Sequence, residues 1–491
     1  MTANRGFEIV VIGGGPAGVT AALRARELGA SVALVERGNM GGTCTNDGCV
    51  PTRVLAHAAR LVRDAEQYAD YGLEGEAPRV NFVRLLNRTQ RIVYEVHEKK
   101  QLRGRLEAAG VSVVDRAGDA RFVDGHTLAL GDGSRLSGER FVLCAGGHAR
   151  RMGFPGSEHA LTHSDVWKMK GLPPSVAVVG AAATGCQLAS VFAAFGSRVR
   201  LLEVAPRILG GEDAEVSDGV ARAFERRGIE ILTGIGGVEG IEKKPDGGLL
   251  LSYTHDGETR SFDTRAVVLA VGWPGNVGAL GLSAAGVEVE RGYVRVDDAL
   301  RTSAPHVFAA GDVTGRMMLV QSATYEGALA AENAALGGGR GYRHAIVPHG
   351  GFTDPEYASV GLTEPQARAE FGDEDCAVAV VPYADLDRGV IDGRPEGSCK
   401  LLVSRSSRLI LGAHIVGEQA VEVVQLVASA MAAGMRIEQL ADLELAYPTF
   451  TTIVGLAARR LVRDMNLVPL STRWREVPST GATEWEHSDR G

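Results

Sequence analysis

Apolar positions along this chain follow two recurring patterns. Short β-branched runs bounded by glycine read as buried strands, and longer Ala/Leu-rich stretches of helical spacing read as helices. Glu8–Ile12 is the first such strand. The turn Gly13-Gly14-Gly15-Pro16-Ala17-Gly18 follows, then a helix to about Leu28 stopped by Gly29, then a strand Ser31–Val35 ending at Glu36. The pattern returns as strand Ser175–Val179, turn Gly180–Gly185, helix Cys186–Phe195 and strand Arg198–Leu202 ending at Glu203. Gly13 to Glu36 and Gly180 to Glu203 span the same number of residues. A single glycine fingerprint is weak, but two copies with equal spacing predict two dinucleotide-binding β-α-β units.

Further strands are expected at Phe141–Ala145 before Gly146-Gly147, at Val267–Val271 before Gly272, and at His306–Ala310 before Gly311-Asp312. Beyond about Ala345 the pattern changes. Leu401–Val403 and Leu409–Ile415 read as antiparallel strands, and Ala420–Gly434 and Tyr447–Val462 as amphipathic helices. The fold class expected is α/β, with two Rossmann-like domains and a C-terminal α+β domain. The expected boundaries are 1–150, 151–275, a central segment 276–345, 346–470, and a polar tail 471–491 that holds Trp474 and Trp485.

Composition narrows the function. A chain of 491 residues with a net charge of −8 gives no general support for nucleic-acid binding. No run approaches the roughly 18 apolar residues of a membrane helix. The short polar start before the first strand leads us to expect a cytoplasmic protein. The six cysteines do not form an evenly spaced framework. Two of them, Cys44 and Cys49, therefore need a redox or metal explanation.

Those two lie in Gly41-Gly42-Thr43-Cys44-Thr45-Asn46-Asp47-Gly48-Cys49-Val50-Pro51-Thr52-Arg53, where a helix begins. Positions five apart in a regular helix point roughly 140° away from each other, so the thiols could not bond in an ideal one. Pro51 lets the first turns distort. A helix N-terminus favours the thiolate. A metal site is a poor alternative, because no second Cys/His pair stands at suitable spacing. Two inert buried thiols are the bland alternative.

These motifs resemble the two-cysteine flavoprotein disulfide reductases: dihydrolipoamide dehydrogenase, glutathione reductase and mercuric reductase. Gly41–Arg53 matches the family's redox motif throughout, and Gly311-Asp312 matches its second flavin motif. Phe352–Glu356 with Ala358–Glu364 matches the start of its dimerisation domain, and the resemblance runs from about Phe7 to Val462. It implies FAD on Gly13, Gly15, Gly18, Glu36, Gly42, Thr43, Ala120, Gly146, Gly311 and Asp312. It implies NAD(P)H on Gly180, Ala182, Gly185, Glu203 and Gly272. It also implies a redox-active Cys44–Cys49 disulfide, with Cys49 nearer the flavin and Cys44 attacking a small-molecule acceptor across a homodimer. No metal, nucleic acid or membrane partner is expected.

Four departures from the family pattern limit that reading. Tyr447 and Thr452 replace the usual His–Glu base; Tyr has a reference pKa near 10 and is a weak base. No cysteine follows Cys399, which argues against a dedicated mercuric reductase. Arg53 and Gln187 replace a Lys–Glu pair near the flavin, so an Arg–Gln hydrogen bond is expected. Ala182 replaces the middle glycine of the second turn, and Ala183 leaves the nicotinamide pocket open. Glu203 favours NADH, although Arg198, Arg200 and Arg207 lie close in sequence. His349 is a candidate replacement base, although a histidine without chemistry is the stronger expectation. His57 is expected to pack under the redox helix, and Cys144, Cys186, Cys376 and Cys399 to be structural.

Overall fold

The computed structural model describes residues 5–342 and 344–467. The tail expected at 471–491 lies outside the described residues. Contacts divide the chain into one unit that runs to Tyr357 and another that starts at Ala358.

The first sheet of the first unit is centred on the strand Arg5–Ile12. That strand runs parallel to Val32–Val35 on one side and Arg135–Leu143 on the other. Ser112–Val114 extends the sheet beyond Val32–Val35, and Val307–Ala309 pairs with the end of Arg135–Leu143. Parallel strands covered on both faces need apolar side chains at every position, and Val32–Val35 is buried throughout. The helix Pro16–Glu27 lays a face of small residues, Ala17, Gly18, Ala21, Ala22 and Ala25, against the core. That face lets the helix Val320–Leu336 approach closely: a side chain at Gly327 would overlap the backbone of Ala17.

The second sheet repeats the design. Five parallel strands run in the order Glu230–Leu232, Arg198–Leu202, Ser175–Val179, Ala266–Leu269, Leu161–Thr162. In both sheets the glycine turn leaves the C-terminal end of the central strand, where a parallel sheet presents its ligand site. The second helix spans Ala183–Ala194 and so starts earlier than the sequence suggested. Gly185 lies inside it, because Ala182 already takes the extended N-cap conformation.

The second unit holds the antiparallel strands Cys376–Pro382, Ser398–Ser404 and Ile410–Gly417, with Glu356–Gly361 entering beside the last. Its helices include Ala420–Ala432 and Thr452–Asp464. The expected start at Tyr447 is corrected: Pro448 disfavours helical backbone at the residue before it, and the helix begins at Thr452.

Candidate active site

The two cysteines do not share a helix. Gly42–Asn46 forms one short helix and Cys49–Ala65 the next. The break falls at Asp47-Gly48, ahead of Pro51, so the distortion we had assigned to Pro51 has another origin. The amides of Asp47 and Gly48 both fold back onto the Thr43 carbonyl, at 2.9 and 2.7 Å. This reversal turns the sulphurs toward each other. Both are free cysteines, and each acts on the ionisation of the other. Its interaction with Cys49 brings Cys44 down to about 7; burial works the other way, Lys100 adds to the drop and Asp312 opposes it. The same interaction, together with burial, pushes the Cys49 thiol up.

The four residues between the cysteines are pinned from two sides. The last turn of the helix Phe82–Lys100 supplies His97 Nε2, 2.8 Å from Asn46 Oδ1, and Lys100 Nζ, which donates to Thr45 Oγ1 at 2.9 Å. Opposite, Asp47 takes hydrogen bonds from Ser164 Oγ at 2.5 Å and faces His163 Nε2 at 3.2 Å. Trp167 Nε1 holds the Asp47 carbonyl at 2.9 Å. Burial works to raise the Asp47 carboxyl, but these bonds outweigh it and hold it low. None of these partners was read from the sequence. The signal for two of them was present: His97 and Lys100 stand one helical turn apart and share a face.

Arg53 does not bond Gln187, and the expected pair is corrected. Arg53 Nη1 donates to Glu356 Oε1 at 3.0 Å, as does Arg60 Nη2, also at 3.0 Å. Glu356 is only 3% exposed. A buried carboxylate with two guanidinium partners is satisfied, and an amide could not outcompete it. Gln187 turns to backbone instead: its Nε2 donates to Ala183 O, and its Oε1 accepts the Phe352 amide at 3.1 Å. The Arg53 guanidinium lies over the Phe352 ring, 4.3 Å from its centre. Cys49, Arg53 and His57 line one side of a cavity of about 470 Å³, with Val50, Val54, Ile92 and Phe352 around them. His57 is exposed at this cavity and does not pack beneath the helix. It stands two turns from Cys49 on the same helix face, which points outward there.

The two glycine turns are nearly superposable in their bonding. Gly13 and Gly180 have φ of 111° and 95°, and a side chain at either would overlap a neighbouring carbonyl. Side chains at Gly18 and Gly185 would overlap the carbonyls of Gly13 and Gly180. Glu36 accepts the Gly14 amide at 2.6 Å and the Gly38 amide at 2.7 Å. Glu203 accepts the Ala181 amide at 2.6 Å and the Ala205 amide at 2.9 Å. Gly15 and Ala182 share one backbone conformation, with φ of −77° and −79°. That conformation suits any residue, so Ala182 strains nothing and differs only by a methyl on the ligand side.

Residues 7–327 match the family model of pyridine nucleotide-disulphide oxidoreductases, and residues 347–458 match that family's dimerisation domain. The chain belongs to this family. It is accordingly an FAD-dependent enzyme that exchanges electrons with a pyridine nucleotide. A dihydrolipoyl dehydrogenase of Geobacillus stearothermophilus is 32% identical over 92% of this chain and 95% of its own. A mercuric reductase of Bacillus cereus is 31% identical over 94% of this chain and 73% of its own. The HOCl-induced flavoprotein disulfide reductase RclA of Escherichia coli aligns in structure with a TM-score of 0.81 at 27% identity, covering 94% of this chain and all of that one.

The residues implied for FAD fit a pyrophosphate and ribose. Gly13, Gly15 and Gly42 form a side-chain-free cradle in which a Cβ at Gly42 would meet Gly15 Cα at 2.8 Å. The helix behind it starts with Pro16 and has no acid in its first turn, so its free amides face an anion unopposed. Thr43 lies at the start of the short redox helix, and Ala120 is buried in the core cluster that also holds Val35. Gly146, three residues past the strand Arg135–Leu143, has its carbonyl on the Asn276 amide, and the Gly272 carbonyl takes the Arg150 amide. The Gly311 amide donates to the buried Glu326, and Asp312 accepts Trp273 Nε1 at 2.9 Å. The sequence pointed to neither Glu326 nor Trp273.

The proposed replacement bases are both committed elsewhere. His349 Nε2 lies 3.2 Å from Glu212 Oε1, and its Nδ1 meets the Val347 carbonyl. Burial opposes its charge, but the Glu212 carboxylate outweighs that and raises it. Its ring is not among those lining the cavity at Cys49. Tyr447, in the second unit, is 72% exposed, and its hydroxyl donates to Asp387, which raises it further from a base's range. Cys144, Cys186 and Cys399 are buried, and burial raises all three, Cys399 to about 12.

Proposed function

We propose that this enzyme passes an electron pair from NADH through FAD to the Cys44–Cys49 pair, and from there to a small disulfide, metal-ion or other electrophilic acceptor. The observation that carries this reading is the backbone reversal at Asp47-Gly48, which puts Cys44 in one short helix and Cys49 at the start of the next, where Cys44 is brought to about 7. When bound, the flavin supplies two-electron exchange between a nicotinamide and the cysteine disulfide. The chain's own residues do the rest. Cys44 attacks a disulfide acceptor as the thiolate and displaces one of its sulphurs; Cys49 then closes on Cys44 and displaces the other. Both acceptor sulphurs leave reduced and take protons.

Preference for NADH is supported by the surroundings of Glu203. Arg200 is occupied by Glu230 at 2.5 Å and by the Phe262 ring, and Arg207 by the carbonyls of Gly210 and Glu212. Two of the three nearby cations that might have welcomed a 2′-phosphate are therefore engaged. The dimerisation-domain match supports a homodimer.

The relatives named above carry two kinds of substrate in their names, a dihydrolipoyl group that is oxidised and mercury that is reduced. With Tyr447 bound to Asp387 in place of a histidine base, we expect dihydrolipoamide and glutathione disulfide to turn over poorly. Loss of general acid–base help is worth about 10²–10⁴ in rate. Steady-state assays of Cys44→Ser and Cys49→Ser test the proposal. Loss of turnover with the physiological acceptor supports it, and unchanged turnover would favour direct reduction of quinones at the flavin.

A further inference from the structure

We propose that Lys100 is the positioning residue that keeps Cys44 in its attacking, ionised form, so that this chain needs no external base to prepare the sulphur. This deepens the proposed function and rests on its reading of Cys44 as the attacking thiol.

The argument starts from where Lys100 spends its charge. A lysine in the last turn of a helix ordinarily serves the free carbonyls there. Here the ammonium group leaves the helix end and donates to Thr45 Oγ1, on the residue next to Cys44. His97, one turn earlier, holds Asn46 in the same loop. The helix end is therefore a two-point clamp on the inter-cysteine loop. Thr45 is fully buried and its hydroxyl is neutral. Among the described residues Lys100 has no carboxylate partner within ion-pair distance. A half-buried ammonium with only neutral oxygen at hand keeps its field for the Cys44 thiol, on the residue next to Thr45.

The other groups facing Cys44 are accounted for. Cys49, from the following helix, favours the Cys44 anion; Asp312, from the turn after Val307–Ala309, opposes the negative charge. His97 is engaged with Asn46. Lys100 is the cation that counters Asp312.

The test is the pH dependence of Cys44 alkylation in the flavin-loaded enzyme, reduced with a phosphine and mapped by mass. The thiolate sulphur forms a bond to the carbon of iodoacetamide, and iodide leaves with the electron pair. Lys100→Gln keeps a donor for Thr45 without charge, and Lys100→Arg keeps the charge. We expect Lys100→Gln to move the midpoint of Cys44 labelling up by about half to one pH unit. With Cys44 starting near 7, that slows labelling at pH 7 by about two- to fivefold. Lys100→Arg is expected to stay within about twofold of the parent, and both variants to keep the parent's unfolding temperature within about 2 °C. Superimposable profiles for the parent and Lys100→Gln would overturn the role of Lys100, as would an equal shift in Lys100→Arg. Labelling of Cys49 ahead of Cys44 in the parent would instead overturn the assignment of the attacking thiol, and the proposal with it.

Discussion

At the scale of single residues, the site is governed by which carboxylate Arg53 finds. Sequence comparison placed Gln187 opposite it, but the guanidinium goes to Glu356, 303 positions away. We predict that Glu356→Gln lowers stability by about 1–3 kcal/mol, while Gln187→Ala costs clearly less. Arg53 is 44% and Arg60 29% exposed, so water takes over part of what the carboxylate gives, which keeps the figure at the low end. Thermal unfolding of the two variants checks this, and equal losses would mean that Arg53 does not depend on Glu356. The cysteines were legible because their chemistry is carried by residue type at short range. Glu356 and Trp273 were not, because their partners lie far along the chain and are chosen by packing.

At the scale of elements, the two glycine turns explain what the chain tolerates. Ala182 takes the backbone conformation of Gly15 without strain, whereas a methyl at Gly185 would meet the Gly180 carbonyl. We predict that Ala182→Gly leaves folding unchanged and tightens NADH binding by a few-fold, about 0.5–1 kcal/mol. Gly185→Ala is expected to weaken binding by at least about a hundredfold or to prevent folding. Calorimetric titration with NADH measures both. If Ala182→Gly binds no better, the methyl does not reach the pyrophosphate. We also expect NADH to exceed NADPH in kcat/KM by about tenfold or more, and Glu203→Ala to narrow that ratio. Both β-α-β units were readable because strand, turn and acid are local and repeat. The break between the cysteines was misplaced to Pro51, since the turn is made by backbone bonds to Thr43 that no side-chain pattern announces.

At the scale of the whole molecule, the family's three working parts are all carried on one chain: two dinucleotide folds in the first unit and the dimerisation domain that follows. Light scattering of the purified enzyme is expected to give twice the chain mass of 51.7 kDa, and a monomer that turns over would remove the need for a shared site. The central claim is that electrons pass through Cys44 and Cys49. The most direct measurement adds one equivalent of NADH to the oxidised enzyme without oxygen, quenches with a mass-tagged alkylating agent, and counts tagged cysteines against an untreated sample. The account predicts two newly tagged residues, Cys44 and Cys49, with Cys144, Cys186, Cys376 and Cys399 unchanged. A bleached flavin with neither Cys44 nor Cys49 newly tagged would contradict it.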